Sequence, residues 1–360
     1  MLQKKIQDAI DRMVEQGTET GVQVSVYRHG APVVEAVAGV ADPATGRPVT
    51  PGTPFWAAST GKGVTATVVH VLAERGVLAY DTPIAELWPE FAAHGKGAAT
   101  VRHALTHTLG LPGLPPHVTV EDLCDWDGMC ALIADLEPWW EPGTRTAYHS
   151  HTYGHVLGEV VRRATGRPIS RVLREEVAGP LGVADELYFG VPAAEQGRLA
   201  RLESTPEVEE AVAGMRAMFG AVMPPELVPH AGYGNRADVL AADIPAGGVM
   251  TARAVARMYA ALLDEVDGVR LISPDRLREI SGPAYTGTDE IMGNPATWAL
   301  GYSLGPLAPA RPRAFGMPGM GGSAAYADPE SGTVFAVTKN RFDPTAASAV
   351  DAVAAIVAGA

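Results

Sequence analysis

The opening segment, MLQKKIQDAIDRMVEQG, alternates charged and apolar residues at helical spacing and predicts an amphipathic helix. After it, GVQVSVYRHGAPVVEAVAGVAD holds two apolar, β-branched runs split by His29 and Gly30, the pattern of a β-hairpin. Near the other end, GGSAAYADPESGTVFAVTKNR repeats the alternation around a DPESG turn, and TAASAVDAVAAIVAGA follows as a closing apolar helix. Between the ends, the helical period recurs in VEDLCDWDGMCALIADL, TYGHVLGEVVRRATG, PISRVLREEVAGPLG, TPEVEEAVAGMRAMFGAVM and MTARAVARMYAALLDEV, joined by Pro- and Gly-rich loops. Strands at both ends around a helical middle predict an α+β fold. Its antiparallel sheet would come from both chain ends, flanked by helices, with a mostly helical region inserted. The expected division is a sheet region over 1–75 and 235–360 and a helical region over 76–234, with the active site in the cleft between them.

Composition narrows the function classes. The chain has 360 residues, 47% hydrophobic and 19% charged, enough to bury a large core. Its net charge is -13, and the basic residues are scattered singly or in pairs. They never form the basic, aromatic-interleaved run that nucleic acid requires, so no such partner is expected. Cys124 and Cys130 are too few for a disulfide framework and lack CxxC spacing, which makes them two buried thiols. The N-terminal segment has no uninterrupted apolar core of a secretory signal, and no stretch reaches the roughly 18 unbroken apolar residues of a membrane helix. A cytoplasmic protein away from membranes is the expectation.

Candidate chemistry begins in ASTGKGVTATVVHVLAERG, where Lys62 follows Ser59 by three residues. Residues i and i+3 share a helix face, so a helix starting here sets the lysine amine beside the hydroxyl. Free backbone N–H groups and the positive end of the helix dipole favour negative charge at the same place. A hydroxyl becomes an effective nucleophile when a base takes its proton, and a lysine does this once its pKa is lowered. The neighbours of Lys62 are small or apolar and offer no carboxylate to hold it charged. The stretch also fits a plain N-cap at Ser59 or Thr60 beside a solvated lysine. A second candidate is Tyr148, in EPGTRTAYHSHTYGHVLGEVV, after a Pro-Gly turn and just before a helix. There a lysine ammonium would favour its phenolate as a general base; an ordinary half-buried tyrosine bonded at its tip fits as well.

Four ordered blocks, ASTGKGVTATVVHVLAERGVLAYDTPI, VRHALTHTLGLPGLP, EPGTRTAYHSHTYGHVLGEVVRRATG and FGMPGMGGSAAYADPESG, resemble the serine β-lactamase and penicillin-binding-protein-like superfamily. The branch they resemble most is the class C β-lactamase-like one, with the family VIII carboxylesterases and related acyltransferases. The resemblance implies that Ser59 is the acylated nucleophile, Lys62 its activator, and Tyr148 the general base at the head of a YxN-like motif. It places the oxyanion hole at the backbone N–H groups of Ser59 and Met320, donors worth several kcal/mol against charge that develops in the transition state. Ser150, Met317 and Gly319 then fall in the substrate site. His149 or His151, which flank Tyr148 in the chain, would border it, and His149 is placed with the substrate-binding residues. Two positions depart from the family pattern. Ser150 replaces the YxN asparagine, and Met317 replaces the Lys or His of the third motif. In relatives that handle β-lactams or D-Ala peptides, that cation helps hold a substrate carboxylate. An apolar methionine instead suits an uncharged ester, thioester or acyl chain.

Other chemistry is weaker. His103/His107 and His151/His155 have i, i+4 spacing, but no HExxH or adjacent carboxylate completes a zinc site, so no metal is expected. CDWDGM, EPWWEPG and GMRAMFGAVMPP fit either an acyl pocket or plain core. Ser323, in GMGGSAAY, precedes a strand where a nucleophile elbow needs a helix. The expected protein is therefore a cofactor-free serine esterase acting on a small uncharged ester through acyl-Ser59. The alternatives are an acyltransferase that delivers the acyl group to an alcohol or amine in biosynthetic metabolism, and a catalytically silent binding protein that kept the fold.

Overall fold

A computed structural model describes residues 1–220, 222–304, 313–344 and 349–360, with the side chain of Met218 left out. Its α-helices of ten or more residues are α1 (Leu2–Glu15), α2 (Gly61–Glu74), α3 (Trp126–Asp135), α4 (Thr152–Thr165), α5 (Pro206–Phe219), α6 (Ala252–Leu263) and α7 (Ala349–Ala358). Its strands are β1 (Gly21–Arg28), β2 (Ala31–Asp42), β3 (Arg47–Pro48), β4 (Phe55–Trp56), β5 (Leu187–Tyr188) and β6 (Val249–Met250). They continue with β7 (Tyr285–Thr288), β8 (Pro295–Trp298), β9 (Ser303–Leu304), β10 (Phe315–Pro318), β11 (Ala324–Asp328) and β12 (Thr333–Lys339).

Nine strands form one antiparallel sheet in the order β3-β2-β1-β12-β11-β10-β9-β8-β7. The first and last hairpins meet at its centre, where Val24 of β1 stands opposite Val337 of β12. The α+β architecture built from both chain ends is thus the one the hydrophobic pattern indicates. β1 is buried along nearly its whole length because helices cover both faces. On one face, α1 and α7 bring Ile6, Ile10, Val353 and Val357 against Val22, Val24 and Val337. On the other, α6 packs on β1, β11 and β12 and joins the larger core.

Several expected elements come out differently. The helix expected over 120–136 is two, Val120–Cys124 and α3, because the Asp125 side chain accepts from Gly128 N–H and starts a new helix. The segment after Pro168 is a short helix, Ile169–Val172, continued by one π turn, Leu173–Ala178. The helix expected from residue 250 starts at Ala252, since Val249 and Met250 form β6, which pairs with β4 and β5 in a second, three-stranded sheet. For the closing helix, α7 accounts for 349–358; Thr345–Ser348 lie outside the described residues. No helix among the described residues is long and apolar enough to cross a membrane.

α2 is buried on every side from Gly61 to Ala73. Its first turn passes so close to β6's approach loop that a Cβ at Gly61 would lie 2.0 Å from the Gly247 carbonyl oxygen. Only glycine admits this contact, and it seats the start of α2, with Ser59 and Lys62, against the loop that leads into β6.

Candidate active site

Ser59 occupies a single 3-10 turn, Ala58–Thr60, that runs into α2. The residue before it, Ala58, is held in the left-handed region at φ 45°, a conformation that costs a non-glycine residue about 1–3 kcal/mol and clusters at functional sites. The surroundings impose it: Ala57 N–H donates to Gly248 O at 2.8 Å, and Thr60 Oγ1 donates to Ser323 O at 3.2 Å. Ser59 N–H lies in the first turn, where no preceding helical carbonyl can accept it.

Lys62 is 1% exposed. Its Nζ donates to Ser59 Oγ at 3.2 Å and to Ala246 O at 2.8 Å. It also stands 4.9 Å from the centroid of the Tyr148 ring. Burial lowers its pKa from the ordinary 10.5 to about 7. A buried ammonium without a carboxylate loses hydration that nothing replaces in full, so the neutral amine is populated near pH 7.

Burial raises the Tyr148 phenol well above its usual range, an effect that the neighbouring Ser59 side chain only partly offsets. Its resting form is therefore the neutral phenol. This corrects the expected phenolate, which presumed a charged lysine alongside. The ring is packed on two sides: Trp298 stacks on it at 6.0 Å, and His107 lies 4.9 Å away. His107 takes a left-handed backbone, φ 57°, and its Nδ1 accepts from His149 N–H at 3.1 Å. The Tyr148 N–H donates to Asp289 Oδ2 at 2.8 Å, while Asp289 Oδ1 accepts from the N–H groups of Ile291 and Met292. Trp298 Nε1 donates to Thr146 Oγ1 at 3.1 Å. The strand-rich segment 285–298 thereby fixes the Tyr148 loop, a role that no motif in its sequence announces.

Met317 and Gly319 approach from the end of β10. A Cβ on Gly319 would lie 2.2 Å from Ala57 O and 2.8 Å from Thr60 Oγ1, so this strand end is pressed onto the Ser59 turn. Gly319 N–H donates to Ser323 O at 2.7 Å, closing a turn that contains Met320. Met317 is buried, and its Cβ would be 3.5 Å from a Cβ on Gly63 of α2.

Beside Ser59 opens a cavity of about 580 Å³, lined by Ser59, Tyr148, Ser150, Met317, Gly319 and Met320 together with a largely apolar wall. That wall includes Phe219, Val222 and Met223 from the Met-rich segment, with Ile291, Trp298 and Leu304 from the β7–β9 region. Met218's side chain and Ala221 of the same segment lie outside the described residues. Among the described residues Asp289 is the one formally charged member of the lining, and its oxygens accept from the backbone N–H groups of Tyr148, Ile291 and Met292. The size suits a drug-sized molecule.

His149 does not join this lining. It is buried, its Nδ1 pairs with Ala147 O at 2.6 Å and its Nε2 accepts from Leu111 N–H at 3.0 Å. Both ring nitrogens are thus spent on backbone, and the expected substrate contact gives way to a structural one. The other histidines also serve locally: His103 closes a capping box with Thr100, and His151 Nε2 pairs with Leu227 O at 2.9 Å. Trp126 donates to Glu159, Trp140 to Thr108 O, and Trp139 is exposed; none lines the cavity. Ser323 is buried, its Oγ accepting from Lys339 N–H.

A family model described as Beta-lactamase matches residues 6–360. The chain is 35% identical over 342 residues to the esterase/beta-lactamase LipL of Mycobacterium tuberculosis, covering 89% of this chain and 77% of that protein. Among solved structures, a family VIII carboxylesterase superposes with a TM-score of 0.89 at 33% identity, over 99% of this chain and 96% of the other. A penicillin-binding protein homologue from Caulobacter crescentus superposes at 0.86 with 31% identity, over 99% and 97%.

Proposed function

Because the chain belongs to the Beta-lactamase family, we propose that it is a serine hydrolase that cleaves uncharged esters through an acyl-Ser59 intermediate. One observation carries this reading: a buried lysine amine, Lys62, held 3.2 Å from Ser59 Oγ with its pKa lowered to about 7.

In the proposed cycle the neutral Lys62 amine takes the Ser59 proton as Oγ attacks the ester carbonyl. Developing oxyanion charge falls to the N–H groups of Ser59 and Met320. The neutral Tyr148 phenol hands its proton to the departing alkoxide and is reprotonated by way of Lys62. Such roles suit a tyrosine that stays protonated at rest. Met317 in place of a cation, and Asp289 as the charged residue among the described lining, both disfavour a substrate carboxylate. Neutral acyl esters are therefore the substrate class, and β-lactams a poor one.

The test is covalent labelling. Intact-mass analysis after exposure to a p-nitrophenyl ester or an alkyl phosphonate should show one adduct on the wild type and none on Ser59→Ala. An adduct that persists in Ser59→Ala, or a wild type that hydrolyses esters with no adduct under any quench, would sink the reading.

A further inference from the structure

Tyr148 lies within the run 146–149, and each of the other three residues hydrogen-bonds to His107. His107 follows the short helix Val101–Leu105 and is fully buried. Its carbonyl accepts from Thr146 Oγ1 at 3.1 Å and from Ala147 N–H at 3.3 Å. Its Nδ1 accepts from His149 N–H at 3.1 Å, which puts the ring proton on Nε2. Burial takes the ring's pKa well below the ordinary 6.5, so Nδ1 stays an acceptor near pH 7. The ring lies 4.9 Å from that of Tyr148, and Tyr153 at 4.8 Å and Trp298 at 4.4 Å pack against it and fix its rotamer. Two features of His107 are costly. Its backbone takes the left-handed region at φ 57°, and Nε2, a donor, has no hydrogen-bond partner among the described residues. Neither cost is one that stability alone would explain.

We propose that His107 is the positioning residue of Tyr148: it clamps the chain on both sides of the tyrosine and packs on its ring, and so aims the phenol at the leaving group. The inference rests on Tyr148 as the proton donor of the proposed cycle and names what holds it there. Asp289 accepts from Tyr148 N–H; His107 takes hold of the residues before and after it. In the step itself the phenol proton moves to the ester's alkoxy oxygen as the bond from that oxygen to the acyl carbon breaks. The phenolate regains a proton from the Lys62 ammonium, which took it from Ser59. His107 acts through Tyr148, so its effect depends on the leaving group. An alkyl ester expels an alkoxide, which needs the proton, whereas p-nitrophenolate is a weak base and leaves without one. A misplaced phenol slows the first and spares the second, while a fault in packing or in the nucleophile slows both alike.

The experiment compares kcat/KM for ethyl butyrate and p-nitrophenyl butyrate, which share an acyl group and so form the same acyl-Ser59. It uses wild type, Tyr148→Phe, His107→Phe and His107→Asn. His107→Phe keeps an aromatic ring and removes the acceptor. His107→Asn gives up the ring but returns an oxygen at the place of Nδ1 and tolerates the left-handed backbone. In His107→Phe the ethyl ester should slow by roughly 100-fold, the scale of a misplaced catalytic group, and the p-nitrophenyl ester by no more than about threefold. Tyr148→Phe should show the same split or a larger one. His107→Asn should bring the ratio of the two rates back to within about threefold of wild type. Equal losses on both esters in His107→Phe overturn the proposal and make His107 structural. A split in His107→Asn as large as in His107→Phe also overturns it, because the acceptor would then not be what aims Tyr148. Should His107→Phe fail to fold, a split in His107→Asn as large as in Tyr148→Phe overturns it alone. Equal losses on both esters in Tyr148→Phe would instead refute the proton-donor role of Tyr148, and the proposal would fall with it.

Discussion

Two buried lysines on either side of the β10–β11 turn show how one side chain serves opposite ends. Lys339, at the end of β12, is 3% exposed, and its Nζ donates to Glu19 Oε1 at 2.6 Å. Lys62, in the first turn of α2, is 1% exposed and, among the described residues, meets only a hydroxyl, a carbonyl and an aromatic face. Both lie near the turn of residues 319–323: a Cβ on Gly322 would touch Lys339 Nζ at 3.2 Å, and one on Gly319 would touch the Ser59 turn. A counter-ion fixes a buried charge as a strut between α1's end and the sheet. Its absence leaves a charge that is costly to keep and a proton that is easy to exchange. Position in the core does not separate the two roles; the nearest carboxylate does.

The largest expected effect breaks the comparison on the catalytic side. Lys62→Ala should lower kcat/KM for a neutral ester by about 1,000-fold or more, within the range of a lost general base, while circular dichroism stays native. A loss under tenfold would mean that another group activates Ser59.

Next comes the structural side. Lys339→Met leaves Glu19 buried without its cation, and breaking a buried pair in this way costs about 3–5 kcal/mol. Chemical denaturation should read that loss, and turnover assayed well below the lowered Tm should fall no more than about threefold, as expected for a residue outside the chemistry. A variant as stable as wild type would show that the pair contributes nothing net. Raised pH does not offer the same test for Glu19, whose carboxyl is raised by burial and only partly restored by Lys339.

The contrast between these lysines also explains what could be read without coordinates. The hairpins β1/β2 and β11/β12 were legible because long β-branched runs flank obvious turns, and Ser59, Lys62 and Tyr148 because their blocks fall in order. β7 to β9 were not, since Tyr-Thr-Gly-Thr and Pro-Ala-Thr-Trp are short, half-exposed and without clean alternation. Asp289 was hidden for a different reason. Its bond to Tyr148 joins residues 141 apart in sequence, and a lone aspartate in a polar loop carries no local signal. His149 misled because adjacency to Tyr148 says nothing of side-chain direction, and its ring turned to Leu111 and Ala147 instead. In the same way, the sequence around Lys62 shows that no carboxylate is near in the chain, but only the fold shows that none among the described residues arrives from elsewhere, as Glu19 does for Lys339.

The smallest expected effect is the most discriminating, because it measures the cost of keeping Lys62 without a partner. In the unfolded chain its amine holds a proton up to about pH 10.5; in the folded chain only up to about 7. Between those values the unfolded state binds the extra proton, so wild-type stability rises with pH across that window. Below pH 7 both states are protonated and the full penalty is present, roughly 5 kcal/mol for the gap between the two values. Lys62→Met escapes the penalty but leaves the Ala246 carbonyl without its donor, a loss of about 1–3 kcal/mol. The net expectation is a variant more stable than wild type by about 2 kcal/mol at pH 7, with the advantage shrinking as pH rises towards 10. Denaturant midpoints at pH 7, 8.5 and 10 measure it. A Lys62→Met protein that is less stable at pH 7, or whose margin does not change with pH, would show that the amine is solvated or paired after all, and the difference between the two lysines would disappear.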